Sequence, residues 1–241
     1  MAEPIRLQKF FTDSGTLSRR AAEAEILAGK VRVNGEIAML GDKIDPESDI
    51  VEYNGRRIRP RMDKPHRYLL LNKPRGYVTT LQDEKGRKTV AELVSGAHTR
   101  LYPVGRLDMD SEGLLLMTDD GELANKLTHP RHEIPKIYHV TLSTCPTKEQ
   151  IAQLGAPMKI DGYRLQPVKV RRLSPDVLEM TLFEGRNRQI RKMCEAVDLK
   201  VMNLQRVAIG KLRLGTLPVG KWRELSDEEV SYLSSPTPQK K

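Results

Sequence analysis

The chain has 241 residues, of which 38% are hydrophobic and 30% charged, with a formal net charge of +9 and two cysteines. That length suits one large or two modest globular domains. No apolar run approaches the roughly 20 residues of a membrane-spanning helix; the opening MAEPIRLQKFF lacks the apolar core of a secretory signal; and Cys145 and Cys194 belong to no CxxC pair, which argues against a disulfide framework or a cysteine-rich zinc site and fits a reducing cytoplasm.

The first module runs over Arg6–Ile58. Leu7, Phe10 and Phe11 have helical spacing, and that helix stops near Ser14-Gly15. Ser18 is placed to cap a second helix, Arg19–Leu27, closed by Ala28-Gly29. Val31-Arg32-Val33 alternates as a strand and runs into Asn34-Gly35, a strong hairpin signal. Ile50–Tyr53 followed by Asn54-Gly55 repeats the pattern. Arg59–His66, with two prolines and four basic residues, reads as an extended linker.

Beyond it the spacing predicts strands at Tyr68–Asn72, Tyr77–Thr80, Gly113–Thr118, Ile137–Leu142, Val168–Leu173, Val177–Phe183 and Leu204–Ile209. Helices are predicted at Glu122–Leu127, Thr147–Leu154 and Arg188–Val197. Thr147…Gln150 and Ser226…Glu229 are capping boxes, so helices begin there. Val177, Glu179, Thr181 and Phe183 alternate with Leu178, Met180 and Leu182, the pattern of a sheet with one wet face. The whole reads as α+β: a small N-terminal α/β domain (residues 1–60), a linker (61–66), an α+β domain with a mixed, mainly antiparallel sheet (67–234) and a disordered polar tail (235–241).

Charge is uneven along the chain. Residues 1–62 hold 11 Lys/Arg against 10 Asp/Glu, whereas residues 185–223 hold 10 against 2. One basic surface for a polyanion is the implied feature, and the first module alone adds modest affinity.

The stretch RLQKFFTDSGTLSRRAAEAEILAGKVRVNGEIAMLGDKI resembles the RNA-binding domain of the fourth small-subunit ribosomal protein. The matching residues are Arg6-Leu7, Gly15, Ser18-Arg19-Arg20 and the run Gly29 to Gly35. Arg19 and Arg20 lie at a helix N-terminus, whose backbone N–H groups attract phosphate. Lys30 and Arg32 are candidates for the same RNA-facing side, since duplex RNA is recognised through backbone and shape.

Asp108 stands in GRLDMDSEGLLLMTDDGEL, between Arg106 and a core strand. Alone it reads as a turn residue. The longer stretch GRLDMDSEGLLLMTDDGELANKLTHP is similar to the catalytic motif of pseudouridine synthases. YLLLNKPRGYVTT from Tyr68, LYPVGRLD from Leu101, KIYHV from Lys136 and EGRNRQIRKM from Glu184 fit the branch that carries an S-four-type domain and modifies ribosomal RNA, closer to the large-subunit enzymes than to the small-subunit one. The departure is Ser111-Glu112, where that branch more often has a threonine and a small residue.

The resemblance implies isomerisation of a ribosomal RNA uridine, whose base is detached from the ribose, turned and rejoined through carbon five. No atom is gained or lost, so neither cofactor nor metal is required, and the HxxH at His129–His132 reads as loop residues or RNA contacts. Detaching uracil builds positive charge on the sugar, which a carboxylate stabilises or traps; it also suits a base acting on the sugar, and the sequence leaves both open. By resemblance Asp108 is that carboxylate and Arg191 the arginine beside it, with Asn187 as N-cap of the Arg191 helix. Read from the residues alone, Arg191 is one phosphate-binding arginine among several. Tyr138 matches the family tyrosine that stacks on the uracil; on its strand pattern it is equally a sheet-packing residue. Arg106 resembles the arginine that enters the helix when the nucleotide flips out. Lys73-Pro74 belongs to the family's first motif; Lys73 is placed among the RNA-binding residues, and the pair also has a structural role. Arg186, Arg188 and Lys192, with Lys200, Arg206, Lys211 and Arg213, are candidates to follow the phosphates.

The partner is therefore ribosomal RNA, free or within an assembling subunit, with no membrane and no feature that calls for more than a monomer. Two other readings are a non-catalytic RNA-binding assembly factor, which would not need Asp108, Tyr138 and Arg191 together, and a hydrolase using Asp108 and Asp110 as an acid–base pair.

Overall fold

The computed structural model describes residues 3–59 and 65–235, so most of the expected linker and the 236–241 tail lie outside the described residues. It divides into two compact units, Met1–His66 and Arg67–Lys241.

The first unit runs β1 (Ile5–Arg6), α1 (Leu7–Asp13), α2 (Arg19–Leu27), β2 (Val31–Val33), β3 (Glu36–Ile37), β4 (Lys43–Ile44), β5 (Val51–Tyr53) and β6 (Arg56–Ile58). The Ser18 hydroxyl accepts from the Ala21 N–H at 3.2 Å and starts α2. Asn34-Gly35 and Asn54-Gly55 all have positive φ (52°, 87°, 51° and 72°), the geometry that joins β2 to β3 and β5 to β6 in tight hairpins. Leu7, Phe10 and Phe11 of α1 bury against Ala22, Ile26, Val31, Ile44 and Val51. Each of the larger side chains contributes about 1.5–3 kcal/mol by leaving water.

The second unit continues β7 (Tyr68–Lys73), α3 (Val90–Leu93), β8 (Tyr102–Val104), β9 (Glu112–Thr118), α4 (Gly121–Thr128), β10 (Lys136–Leu142), α5 (Lys148–Gly155), β11 (Lys159–Ile160), β12 (Tyr163–Arg164), β13 (Lys169–Ser174), β14 (Val177–Leu182), α6 (Gln189–Glu195), β15 (Val201–Ile209), β16 (Leu212–Arg213), β17 (Trp222–Glu224) and α7 (Asp227–Ser234). The main sheet has the order β13-β14-β10-β15-β9-β7-β17, with β16 on β15 and β8 on β9. Every pair in it is antiparallel except β15–β9, which is parallel and spans only Gln205↔Glu112 and Arg206↔Gly113. Two antiparallel halves thus meet at one short seam. On one face α5 and α6 cover the β10–β14–β15 half, with Ile190 and Met193 packed on Val140, Leu178 and Met180. Beside them α3 and Leu107 cover β7 and β9. The opposite face of β7 and β9 is closed by α4 and α7.

The capping boxes at Thr147/Gln150 and Ser226/Glu229 both form. Two expectations are corrected. Tyr77–Thr80 makes no strand: Val78 has a single bridge to Thr89, its N–H donating to the Lys88 carbonyl and its carbonyl accepting from the Val90 N–H, while the Thr79 hydroxyl bonds Leu107. Asn187 does not cap α6; Arg188 precedes it with φ 52° and gives no side-chain cap, while the buried Gln189 accepts from the Arg186 N–H at 3.0 Å.

Candidate active site

Residues 105–111 connect β8 to β9 and carry Arg106, Asp108 and Asp110. The loop is shaped by what surrounds Asp108. Leu107 is buried among Leu69, Leu71, Val90 and Leu115. Thr79 brackets it: the hydroxyl donates to the Leu107 carbonyl at 2.6 Å and accepts from the Leu107 N–H at 3.2 Å. The Gly76 N–H donates to the Met109 carbonyl at 2.7 Å, and the Ser111 N–H to that of Asp108 at 3.1 Å.

Lys73, at the end of β7, completes the clamp. Its Nζ donates to the carbonyls of Pro74 (3.0 Å), Asp108 (3.0 Å) and Ser111 (2.7 Å). Burial pushes its ammonium down to about 8, against the pull of Asp108, Asp110 and Glu112. The expectation that Lys73 meets RNA is corrected here: it is 0% exposed, and its donors hold the loop's backbone. The Asp108 carboxylate is left half-buried, on a main chain that is fixed on both sides.

Helix α6 approaches from the other half of the sheet. Arg191 Nη2 donates to the Asp110 carbonyl at 2.9 Å, Nη1 to that of Val201 at 3.4 Å, and Nε lies 3.3 Å from the Asp110 carboxylate. Burial lowers its pKa, and the neighbouring Asp110 and Asp108 charges oppose that shift. Arg188 Nη1 lies 3.1 Å from Asp110 Oδ2 and 3.9 Å from Asp108 Oδ2. Among the described residues Arg188, rather than Arg191, is the cation within 4 Å of Asp108. Arg191 is engaged by Asp110, which occupies both arginines.

Tyr138 lies on β10 opposite Arg206 of β15 and Met180 of β14. Its partly buried ring packs against both the core that holds Leu107 and the core that holds Ile190 and Met193. It therefore belongs to the same seam as the loop and α6. Arg206 is 4% exposed, with Nε donating to the Leu114 carbonyl at 2.8 Å and Nη2 without a hydrogen-bond partner among the described atoms. It is thus not one of the phosphate-following residues expected of that stretch. Lys136, two residues before Tyr138, is lowered to about 8 by burial and by Arg206.

Gly113 explains how the seam closes. Its φ is +101°, and a Cβ there would lie 2.3 Å from the Arg206 carbonyl oxygen and 2.9 Å from its nitrogen. The neighbouring Glu112 accepts from Asn203 Nδ2 at 2.8 Å, so the charge that departs from the family pattern is engaged within the protein.

The remaining sequence-predicted residues are dispersed. Arg106 is exposed at the loop's start. Arg186 is exposed with its guanidinium 4.3 Å from the Tyr163 ring centroid, and Lys192 pairs with Asp161. In the first unit, Arg19 and Arg20 are exposed at the start of α2, Lys30 pairs with Glu25 at 2.9 Å, and Arg32 donates to the Gly35 carbonyl at 2.7 Å. His129 and His132 flank a short turn in which Arg131 Nε donates to His132 Nε2 at 3.1 Å. Among the described residues no group of three or more His, Cys, Asp or Glu is placed to hold a metal ion. Sequence reasoning missed the anchoring roles of Thr79 and Asp110; nothing local marks Thr79, and Asp110 is distinguished only by its spacing from Asp108.

The RNA pseudouridylate synthase family model matches residues 67–196, and the S4 domain model matches residues 5–51. The chain is 42% identical to ribosomal large subunit pseudouridine synthase B of Bacillus subtilis (strain 168) over 235 residues, 95% of each chain. It is 38% identical to the dual-specificity RNA pseudouridine synthase RluF of Escherichia coli (strain K12), covering 95% of this chain and 78% of that one. A crystal structure of a pseudouridylate synthase superposes with TM-score 0.69 at 31% identity, over 95% of this chain and 99% of the other.

Proposed function

The chain belongs to the RNA pseudouridylate synthase family, and from that premise we propose that it converts a uridine of large-subunit ribosomal RNA to pseudouridine, with Asp108 as the reacting carboxylate. In the reaction the bond from uracil N1 to the ribose C1′ breaks and one from C5 to C1′ forms; the C5 proton leaves and N1 takes one up. Asp108 stabilises or traps the electron-poor sugar, or acts as a base on it. The observation that carries the assignment is its support. Lys73, Thr79 and Ser111 hold the backbone beside Asp108 while the carboxylate stays accessible. A reacting group held by fixed neighbours suits catalysis better than a solvated turn does.

Tyr138 stacks on the flipped uracil from the floor of the seam. Arg191 acts through Asp110, keeping the loop against α6, and Arg188 supplies the positive charge nearest Asp108. Arg106 fills the gap left by the flipped nucleotide. Arg186, Arg188 and Lys192, with Arg19, Arg20, Lys30 and Arg32 of the S4 unit, contact phosphates and orient the RNA without reading bases. The domain boundaries follow as a folding S4 unit, a linker near residues 61–66 and a catalytic unit from residue 67. The protein acts as a monomer in the cytoplasm, on free ribosomal RNA or an immature subunit.

The test is chemical mapping of pseudouridine in ribosomal RNA from cells lacking the gene and complemented with wild type or Asp108→Ala. One large-subunit position regained only with wild type supports the proposal. Modification regained equally with Asp108→Ala removes Asp108 from the chemistry.

A further inference from the structure

Resting on that proposed activity, we infer that the β11–β12 hairpin is a stacking platform for an unpaired RNA base close to the target uridine, with Tyr163 as the ring and Arg186 as its backing. The hairpin is short, Lys159–Ile160 paired to Tyr163–Arg164 through Asp161-Gly162, both with positive φ (50° and 80°). A two-residue turn of this kind holds its flanking residues in a defined register. Tyr163 is 57% exposed on this ribbon. Its ring carries the Arg186 guanidinium at 4.3 Å from the centroid.

A surface tyrosine backed by arginine is a flat plane with cationic character, here partly offset by Glu184, whose Oε2 lies 3.4 Å from Arg186 Nε. Unpaired RNA bases stack on such planes, aromatic and guanidinium alike, with little regard to sequence. The surroundings suit a polyanion: Lys159 and Arg164 are exposed on the same ribbon. The one carboxylate of the turn, Asp161, is paired with Lys192.

The position also fits. Lys192 of α6 ties the hairpin to the helix whose Arg191 and preceding Arg188 grip the Asp108 loop. Arg188 and Lys192 are four residues apart, the spacing of side-chain neighbours on one helix face, and seven helical residues extend about 10 Å, so the platform and the reacting loop are fastened to the same short element. A strand with its uridine at Asp108 then passes Tyr163 within a few nucleotides. Arg186, between hairpin and helix, is placed to meet the intervening phosphate while backing the ring.

The experiment compares wild type with Tyr163→Ala, Tyr163→Leu and Tyr163→Phe on a large-subunit ribosomal RNA transcript. Tritium release from carbon five gives kcat and KM, and filter binding over a salt series gives Kd. One ring face is already taken by Arg186, so the low end of base–aromatic stacking applies. Tyr163→Ala and Tyr163→Leu raise KM and Kd about 5- to 10-fold, with kcat unchanged. The salt slope also stays unchanged, because no charge is removed. Tyr163→Phe behaves as wild type. Ala and Leu variants that bind as tightly as wild type overturn the platform, as does a Phe variant as weak as Ala, which would assign the effect to the hydroxyl. No tritium release by wild type would instead overturn the proposed activity, while the binding series still reads the platform.

Discussion

Gly113→Ala separates the role of the seam from that of the catalytic carboxylate. The substitution leaves every polar group near Asp108 in place. Its Cβ would arrive 2.3 Å from the Arg206 carbonyl oxygen, so β9 and β15 must part by about 1 Å to restore ordinary contact. Neither neighbour yields easily. Both nearest atoms are backbone, and the Arg206 side chain is buried and bonded to Leu114. A positive φ adds about 1–2 kcal/mol for any residue with a Cβ. With the displaced pairing the total is about 3 kcal/mol, which lowers Tm by roughly 6–12 °C in a domain of this size. The kinetic effect is larger in proportion. Glu112 and Gly113 continue directly from the Asp108 loop, and a misplacement of about 1 Å at a reacting group costs on the order of 100-fold in rate. Differential scanning fluorimetry and single-turnover tritium release read the two quantities at a temperature where the variant is folded. Unchanged Tm and kcat would refute the claim that close approach at Gly113 sets the position of Asp108.

Three further outcomes follow from individual groups. Lys73 is charged in the folded state only up to about pH 8, whereas its unfolded value is 10.5; because the folded value is the lower, the cost of burying the charge is present below pH 8 and is relieved between pH 8 and 10.5. Urea unfolding should therefore show wild type gaining on Lys73→Met by about 1 kcal/mol per pH unit in that window, and a pH-independent difference would refute the buried ammonium. Asp110→Asn removes two partly exposed ion pairs but keeps the Arg191 bond to the backbone carbonyl. Stability should change by less than about 1 kcal/mol while kcat falls about 10-fold through loosened loop contact; equal kcat would free Asp110 from that role. Cys145 is exposed, whereas Cys194 is buried with its thiol pushed up to about 12, so a thiol reagent should label one cysteine in the native protein and two after denaturation.

Much of this architecture could be read from the sequence because local chemistry decides it. Ser18, Thr147 and Ser226 start helices where their capping pattern says, and Asn-Gly pairs make the hairpins of the first unit. Thr89…Glu92 carries the same signal and caps α3. What could not be read depends on distant neighbours. Tyr77–Thr80 has a strand's composition, yet its Thr79 hydroxyl bonds Leu107 and the preceding Gly76 N–H bonds Met109, about thirty residues along the chain. Lys73 and Arg206 look like solvated cations in a basic chain and are closed into the core, Lys73 where β7 pairs with β9 and Arg206 where β15 meets β9 at the seam. Resemblance named Asp108, Tyr138 and Arg191, and the fold gathers them at that seam. It gave no hint that Arg191 would meet Asp110, because that contact depends on how α6 abuts the loop.

The most direct test is tritium release from ribosomal RNA labelled at carbon five of uracil, with purified wild type and Asp108→Asn, a substitution that keeps shape and removes charge. The account predicts release approaching one equivalent per RNA by wild type and none by the variant, with RNA binding retained by both. Release by Asp108→Asn at the wild-type rate would contradict it, and so would no release by either protein on free ribosomal RNA and immature subunits alike.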